Sequence, residues 1–154
     1  MSESFEVSVV WPADAAQKLP PDAAFSRNNR LGAPGKAEVF GSSPVIFGGE
    51  PHGYNPEELM ALSLSQCHML TYLAITAKRG IAVLHYEDHA TAQLGKNSGG
   101  RMQMVEVVLR PKVTVAKGTS VEDAQSLHAR AHSACFMANS VNFTVRNEPE
   151  TVEK

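Results

Sequence analysis

The sequence predicts an α+β protein with mainly antiparallel sheet, and three observations support this fold class. The predicted elements run as short strands, a long helix, two long strands, a second helix and a last strand, without the regular strand and helix alternation of parallel folds. The two long strand segments flank a glycine-rich turn at residues 97–100, which is typical of an antiparallel hairpin. The length of 154 residues fits one domain, so we expect a single domain over residues 1–154.

The first third of the chain predicts short strands and loops. Strands are expected at residues 5–11, 24–30 and 36–40, where β-branched and aromatic residues or short turn-flanked runs occur. Residues 12–24 hold three prolines and predict an irregular connection, and residues 41–54 are rich in glycine, serine and proline.

The strongest helix signal begins at Asn55. Asparagine suits an N-cap, Pro56 suits the first helical position, and the two glutamates that follow suit the positive end of the helix dipole. The apolar pattern continues to Ala77, and Gly80 predicts the end of the helix. The segment is apolar almost all round, which predicts a buried position in the middle of the molecule. Its serine, glutamine, histidine and threonine side chains make it too polar for a lipid-facing membrane span.

The rest of the chain predicts four more elements. They are a hairpin of residues 81–95 and 102–116, a helix over about residues 120–138 that opens with a capping box of Thr119 and Glu122, and a strand over residues 140–147.

The composition excludes several classes of protein. Fourteen basic residues against sixteen acidic ones give a net charge of −2, so nothing drives the chain toward nucleic acid or an anionic membrane. Two cysteines are too few for a disulfide-dense secreted scaffold. The N-terminus is acidic and no apolar run follows it, so we expect a cytoplasmic protein.

The two cysteines fall on the two predicted helices. Cys67 lies near the middle of the first and Cys135 near the end of the second. Either thiol alone could be a small buried hydrophobe. If both helices belong to the core, they pack together, and a thiol pair in a cytoplasmic protein favours redox chemistry or metal binding over a structural disulfide.

A metal site is the first alternative. His128, His132 and Cys135 follow the spacing i, i+4, i+7 on one helix face, and Cys67 could complete a tetrahedral set. A plain solvated or hydrogen-bonded helix face explains the same spacing, and we favour it because such histidine pairs are frequent by chance. His68 points about 100° away from Cys67 around the helix, which places it poorly as a base for that thiol.

Glu57 has two interpretations. A glutamate at a helix N-terminus stabilises the helix dipole without any further role. Glu57 also lies on the same side of the helix as Cys67, about 15 Å away along the axis, so it could hold a long cation that reaches the thiol. Arg27 and Arg30 on a predicted early strand are the candidates, because an arginine lowers the pKa of a thiol and binds polar oxygen atoms.

These segments resemble a known family. The stretch Asn55-Pro-Glu-Glu-Leu-Met-Ala-Leu-Ser-Leu-Ser-Gln-Cys67-His-Met-Leu resembles the first-helix motif of the OsmC/Ohr family of organic hydroperoxide reductases. Ala77-Lys-Arg-Gly80, Leu109-Arg-Pro111 and His128-x-x-x-His132-Ser-Ala-Cys135 are similar too, and the resemblance extends over about residues 25–148. It implies an intertwined homodimer of α+β subunits, with two long helices at the centre, six-stranded sheets around them and active sites at the dimer interface.

The resemblance also implies roles for individual residues. Cys67 matches the peroxidatic cysteine, Cys135 the resolving cysteine, and Glu57 the glutamate that pairs with a catalytic arginine. Arg27 fits that arginine best by its distance from the helix, with Arg30 as the reserve. The family often has a proline directly after the resolving cysteine, and this chain has none there.

The function implied is that of a thiol-dependent peroxidase. Organic hydroperoxides, alkyl or lipid, would be reduced to alcohols through a cysteine sulfenic acid and an intramolecular disulfide. An external dithiol, commonly a lipoylated protein in the family, would regenerate the thiols, and no metal, flavin or haem cofactor is implied. Two alternatives remain open. One is a zinc-binding protein that uses His128, His132, Cys135 and Cys67, and the other is a non-catalytic OsmC-like protein that binds small apolar ligands.

Overall fold

Nine strands and two α-helices form the fold in the computed structural model, which describes residues 2–154. In chain order they are β1 (Ser8–Val10), β2 (Asn29–Gly32), β3 (Val39–Gly41), α1 (Pro56–Lys78), β4 (Val83–Asp88), β5 (Thr91–Lys96), β6 (Met102–Leu109), β7 (Pro111–Val115), α2 (Val121–Ala134), β8 (Thr144–Asn147) and β9 (Glu150–Glu153). The strands form three three-stranded sheets, and four of their six pairings are antiparallel, which confirms the predicted fold class. The chain divides into two compact units, one ending at Leu59 and the other spanning Met60–Lys154.

The first unit holds the antiparallel sheet β1-β2-β3. Its strands are shorter than predicted, and β2 begins only at Asn29. The residues before it bond locally instead of joining the sheet, as the N–H of Asn28 donates to the hydroxyl of Ser26 at 3.2 Å. Arg27 therefore lies just before β2, and Arg30 lies within it.

Helix α1 begins and ends as the sequence predicts. The N–H of Glu58 donates to Asn55 Oδ1 at 2.8 Å, and the N–H of Asn55 donates back to Glu58 Oε2 at 3.1 Å, which closes a capping box. At the other end Gly80 adopts a φ of 69°, and the N–H of Ile81 donates to the carbonyl of Thr76 at 3.0 Å. A glycine in the left-handed region with this long return bond is a standard helix stop.

Each of the two long predicted strands is in fact two strands. Residues 81–95 contain β4 and all of β5 except its last residue, and residues 102–116 contain β6 and β7. The predicted hairpin is confirmed for β5 and β6, while β4 and β7 pair in a different sheet. The chain crosses between the sheets beside Asp88, whose Oδ1 accepts the N–H of Arg110 at 2.6 Å. In a continuous strand the N–H of Arg110 would bond to the neighbouring strand. Here it bonds to the Asp88 side chain, and the chain passes to the other sheet at this point.

Helix α2 differs from its prediction at both ends. Its N-cap is Ser120, whose hydroxyl accepts the N–H of Asp123 at 3.1 Å, so the predicted capping box of Thr119 and Glu122 is wrong by one residue. The helix ends at Ala134 instead of residue 138, because Cys135 has an extended backbone with φ −72° and ψ 113°.

The last two strands pair in parallel with their neighbours. β8 begins at Thr144, later than predicted, and lies beside β6 to complete the sheet β5-β6-β8. β9 was not predicted, and it lies beside β7 to complete the sheet β4-β7-β9.

The core of the second unit has two clusters that share α1. One joins α1 and α2 to β7 and contains Tyr72, Val113, Val115, Ala124, Leu127 and Ala131. The other joins α1 to β6 and contains Ala61, Leu64, Met104, Val107 and Leu109. Helix α1 was predicted to be buried all round, and in the single chain only one of its faces is buried. Met60, Leu62 and Leu70 on the same helix are 40%, 52% and 55% exposed in the single chain.

Candidate active site

The structure brings the two cysteines together. Cys67 lies on α1, next to the buried His68, and is partly exposed. Cys135 caps the C-terminus of α2 and is 1% exposed. The Cys67 side chain lies close enough to Cys135 to raise the pKa of that thiol, and both thiols are free. The sequence-based expectation that packed helices would bring these thiols within reach is confirmed.

The buried position of Cys135 keeps it protonated. Burial is the main cause that raises its pKa to about 11, and the neighbouring Cys67 thiol acts in the same direction. The N–H of Ala138 donates to Cys135 Sγ at 3.4 Å and lowers the pKa in part. Cys135 is therefore a thiol at neutral pH, and Cys67 is the more accessible sulfur of the pair.

The chain around Cys135 is fixed by hydrogen bonds, although no proline follows this cysteine. The N–H of Cys135 donates to the carbonyl of His132 at 3.2 Å, and its carbonyl accepts the N–H of Asn139 at 3.1 Å. The side chain of Asn139 also donates to the carbonyl of Ser133 at 3.1 Å. These bonds hold the extended residue between the end of α2 and the following turn.

Arg27 and Glu57 lie in the first unit. The Arg27 guanidinium carbon lies 3.9 Å from the ring centroid of Phe25, and Nη1 donates to the Phe25 carbonyl. Gly48 lies beside the guanidinium and has a φ of 81°, a left-handed conformation that favours glycine. Within residues 2–154, Arg27 forms no ion pair.

Glu57 forms no ion pair with an arginine within residues 2–154. Glu57 Oε2 is buried and has no hydrogen-bond partner within residues 2–154. A buried carboxylate oxygen in this state needs a cation or a donor to offset its lost hydration. Arg30 pairs with Glu38 at 3.8 Å on an exposed surface, so of the two candidate arginines only Arg27 lacks a carboxylate partner.

The metal alternative receives no support from the geometry. No group of three or more histidine, cysteine or acidic side chains within residues 2–154 is arranged to hold a metal ion. His128 Nδ1 instead lies 3.0 Å from His68 Nε2, and His132 Nδ1 accepts from the side chain of Asn147 at 2.8 Å. The hydrogen-bonded helix face favoured from the sequence explains the spacing.

A family model for OsmC-like proteins matches residues 48–150 of the chain. The chain belongs to the OsmC-like family. A solved OsmC-like protein of unknown function from Vibrio cholerae is 34% identical, with a TM-score of 0.83 over 97% of this chain and 100% of that one.

More distant structures share the OsmC-like fold. An organic hydroperoxide resistance protein from Elizabethkingia anophelis has 20% identity and a TM-score of 0.71, covering 100% of this chain and 99% of that one. The organic hydroperoxide resistance protein OhrB of Bacillus subtilis has 19% identity and a TM-score of 0.64, covering 96% and 98%. No match was found among functionally curated proteins.

One feature of the site in this OsmC-like chain did not follow from the sequence, the buried contact between His68 and His128. Helical spacing places His68 away from Cys67 around the helix but indicates no partner for it. Its side chain is 0% exposed, and that of His128 is 2% exposed. The only signal in the sequence was that both histidines fall on the apolar faces of their helices, which does not reveal that the two faces meet.

Proposed function

We propose that this protein is a thiol-dependent peroxidase that reduces organic hydroperoxides to alcohols. The observation that carries the proposal is the pair of free thiols, in which an accessible Cys67 lies within reach of a buried, protonated Cys135. One sulfur is placed to react with a substrate and the other to react with the first sulfur. Family membership supports a peroxidase-like role, and several relatives of the same fold are organic hydroperoxide resistance proteins.

The first step is attack by the Cys67 thiolate on the outer oxygen of the hydroperoxide. The O–O bond breaks as the S–O bond forms, and the alkoxide takes up a proton and leaves as the alcohol. Cys67 is oxidised by two electrons to a sulfenic acid, and the peroxide is reduced. An alkyl or lipid hydroperoxide fits this step, because its leaving group is an alcohol.

The second step closes the disulfide. The sulfur of Cys135 attacks that of the Cys67 sulfenic acid, the S–S bond forms, and the hydroxyl leaves with the Cys135 proton as water. An external dithiol, such as the lipoyl group of a lipoylated protein, then supplies two electrons by thiol exchange and restores both thiols. This sequence of steps calls for no metal, flavin or haem.

Arg27 is the cation we assign to the Cys67 thiolate, with Glu57 as its orienting carboxylate. Arg27 forms no ion pair within residues 2–154, and Glu57 Oε2 has no hydrogen-bond partner there. Neither group is committed to another charged side chain, so both are free for the contacts that this role requires. Arg30 is the reserve, since its pairing with Glu38 is exposed and contributes little to stability.

We propose a cytoplasmic homodimer that is not associated with a membrane. Helix α1 is long and apolar enough to cross a bilayer by length and composition alone, a test that core helices of soluble proteins also pass. Its other face already carries the buried His68, Tyr72 and Thr76, which suits a protein core better than lipid. A second copy of the chain would cover the exposed Leu62 and Leu70 without exposing polar groups to hydrocarbon.

A thiol count tests the proposal and separates it from its alternatives. One equivalent of cumene hydroperoxide should consume two thiols per chain and release one equivalent of the alcohol. A non-catalytic ligand-binding protein would keep both thiols, and a zinc protein would show stoichiometric zinc on elemental analysis. Unchanged thiols with intact peroxide would overturn the peroxidase assignment.

A further inference from the structure

We propose that His68 and His128, supported by Tyr72, form a clamp between α1 and α2 that holds Cys67 and Cys135 at disulfide-forming distance. The clamp deepens the proposed function, because it would govern the second step of turnover. The effect of the clamp on the thiol pair can be measured without any peroxide. An experiment can therefore refute the clamp without refuting the peroxidase activity, and the reverse.

The hydrogen bond between the histidines has favourable geometry. His68 Nε2 and His128 Nδ1 are 3.0 Å apart, the ring planes differ by 6°, and the ring centroids are 5.3 Å apart. Two parallel imidazole rings at this centroid distance lie edge to edge in nearly one plane, so the N–H points along the line to the acceptor nitrogen. A straight bond of this length is well formed, and water does not compete for it because both rings are buried.

Tyr72 adds a second connection one turn along α1. Its ring lies 4.0 Å from that of His128 between centroids, with 10° between the planes. Its hydroxyl donates to the carbonyl of Ala124 at 3.1 Å. One turn of α1 is thus joined to one turn of α2 at both ends, which restrains rotation and sliding of either helix against the other.

Both histidines are neutral at physiological pH. Burial is the main cause that lowers the pKa of His68 to about 4 and that of His128 to about 3. A neutral imidazole has one donor and one acceptor nitrogen, so one ring donates to the other and the pair needs no counter-ion.

The clamp lies beside both cysteines along the chain. Cys67 directly precedes His68 on α1, and Cys135 follows the last turn of the helix that carries His128. A disulfide needs its two Cα atoms about 4.4–6.8 Å apart and its Cβ atoms facing each other, so a small shift of either helix decides whether closure is possible. Attack on a peroxide needs Cys67 alone. His68 and His128 are therefore positioning residues for closure of the disulfide.

The test measures the equilibrium constant for the Cys67–Cys135 disulfide in glutathione redox buffers. Two amide variants form a matched pair. His68→Gln places an amide where Nε2 lies and retains a partner for His128, whereas His68→Asn has the same amide but stops one bond short. The double variant His68→Leu/His128→Leu removes both partners and leaves neither one unsatisfied, so we expect it to fold.

We expect His68→Gln to stay within about threefold of the wild-type constant, and His68→Asn and the double leucine variant to lower it by about tenfold or more. Urea unfolding of the reduced proteins checks that the effect is on closure, since a purely structural role would lower stability and leave the disulfide constant unchanged. The clamp would be overturned if the disulfide equilibrium constant of His68→Asn equalled that of the wild type. If His68→Asn does not fold, the same comparison is made with the double leucine variant. A lowered constant in a protein that does not reduce peroxide would support the clamp and refute the proposed function.

Discussion

Ser65 on α1 donates a hydrogen bond to Asp88 at the end of β4, with 2.5 Å between the two oxygens. The other carboxylate oxygen of Asp88 accepts the N–H of Arg110 at the point where the chain passes from β6 to β7. One half-buried carboxylate therefore joins the helix that carries Cys67 to the crossing between two sheets.

Removing this carboxylate should destabilise the protein. Asp88→Ala leaves the N–H of Arg110 without its acceptor, and we expect a loss of about 2–4 kcal/mol in the free energy of unfolding. Ser65→Ala keeps the bond to the Arg110 N–H and should cost about half as much. Asp88→Asn should cost less again, because its amide oxygen can accept from Arg110 while its amide N–H donates to the Ser65 hydroxyl. Urea unfolding measures all three variants. An Asp88→Ala protein as stable as the wild type would contradict this role.

Stability should fall in mildly acidic solution. The unfolded histidines titrate near pH ~6.5, while burial lowers the folded pKa to about 4 for His68 and about 3 for His128. Between those values the unfolded chain takes up protons that the folded chain does not, so stability decreases as the pH falls from about 6.5 toward 4. His132 adds to the lowering at His68, and Asp88 opposes it.

Urea midpoints at pH 7, 5.5 and 4.5 would show the decrease. The double variant His68→Gln/His128→Asn has no imidazole at either position and should show a flatter profile, with the carboxylates of the chain acting as a common background. Parallel profiles for this variant and the wild type would contradict the assignment to the buried pair.

The two cysteines should have different roles. Cys67→Ser should abolish reduction of cumene hydroperoxide, because no accessible thiolate remains. Cys135→Ser should consume one equivalent and then stop, leaving a sulfenic acid at Cys67 that dimedone traps. Mass spectrometry of the dimedone adduct provides the measurement. Sustained turnover by Cys67→Ser would reject the assignment.

Arg27 should govern the reactivity of Cys67. Without a nearby cation a thiol is only a few per cent ionised at neutral pH, so Arg27→Ala should slow peroxide reduction by about tenfold or more. Iodoacetamide labelling of Cys67 at pH 7 should become slower in the same variant, and Glu57→Ala should act in the same direction but more mildly. Arg30→Ala is the matched control. If it produces the larger change, the role belongs to Arg30.

The exposed apolar face of α1 should be a subunit interface. Sedimentation at micromolar concentration should give about twice the 16.6 kDa of one chain. Leu70→Glu places a charge on this face and should shift the protein toward monomer. Arg130→Glu, an exposed charge change on α2, serves as control. A wild-type monomer under these conditions would contradict the assembly.

Local signals in the sequence predicted those elements that local bonds define. Helix α1 was predicted to within a residue or two because Asn55, Pro56 and Gly80 act on the backbone next to them. The split of the long strands depends on Asp88 and Arg110, which are 22 residues apart. No pattern within either strand shows such a contact. β9 was missed because its residues are mostly exposed and carry no alternating apolar face.

The sequence also predicted some contacts of the candidate site and not others. One cysteine on each helix was enough to expect that Cys67 and Cys135 meet. The bond between His68 and His128 depends on how two helix faces are aligned, which single positions in a sequence do not reveal. The pairing of Glu57 with an arginine came from the family resemblance, and it is absent from residues 2–154.

The parallel pairing of β8 and β9 has a consequence for biosynthesis. Each of the two sheets in the second unit takes its third strand from residues 144–153. Until those residues leave the ribosome and dock, β6 and β7 each present an open edge of unpaired backbone groups. Open edges recruit strands from other chains, so the newly made protein is most prone to aggregate during this interval. Docking of these ten residues replaces the more buried β6 and β7 at the open edges by the shorter, more exposed β8 and β9.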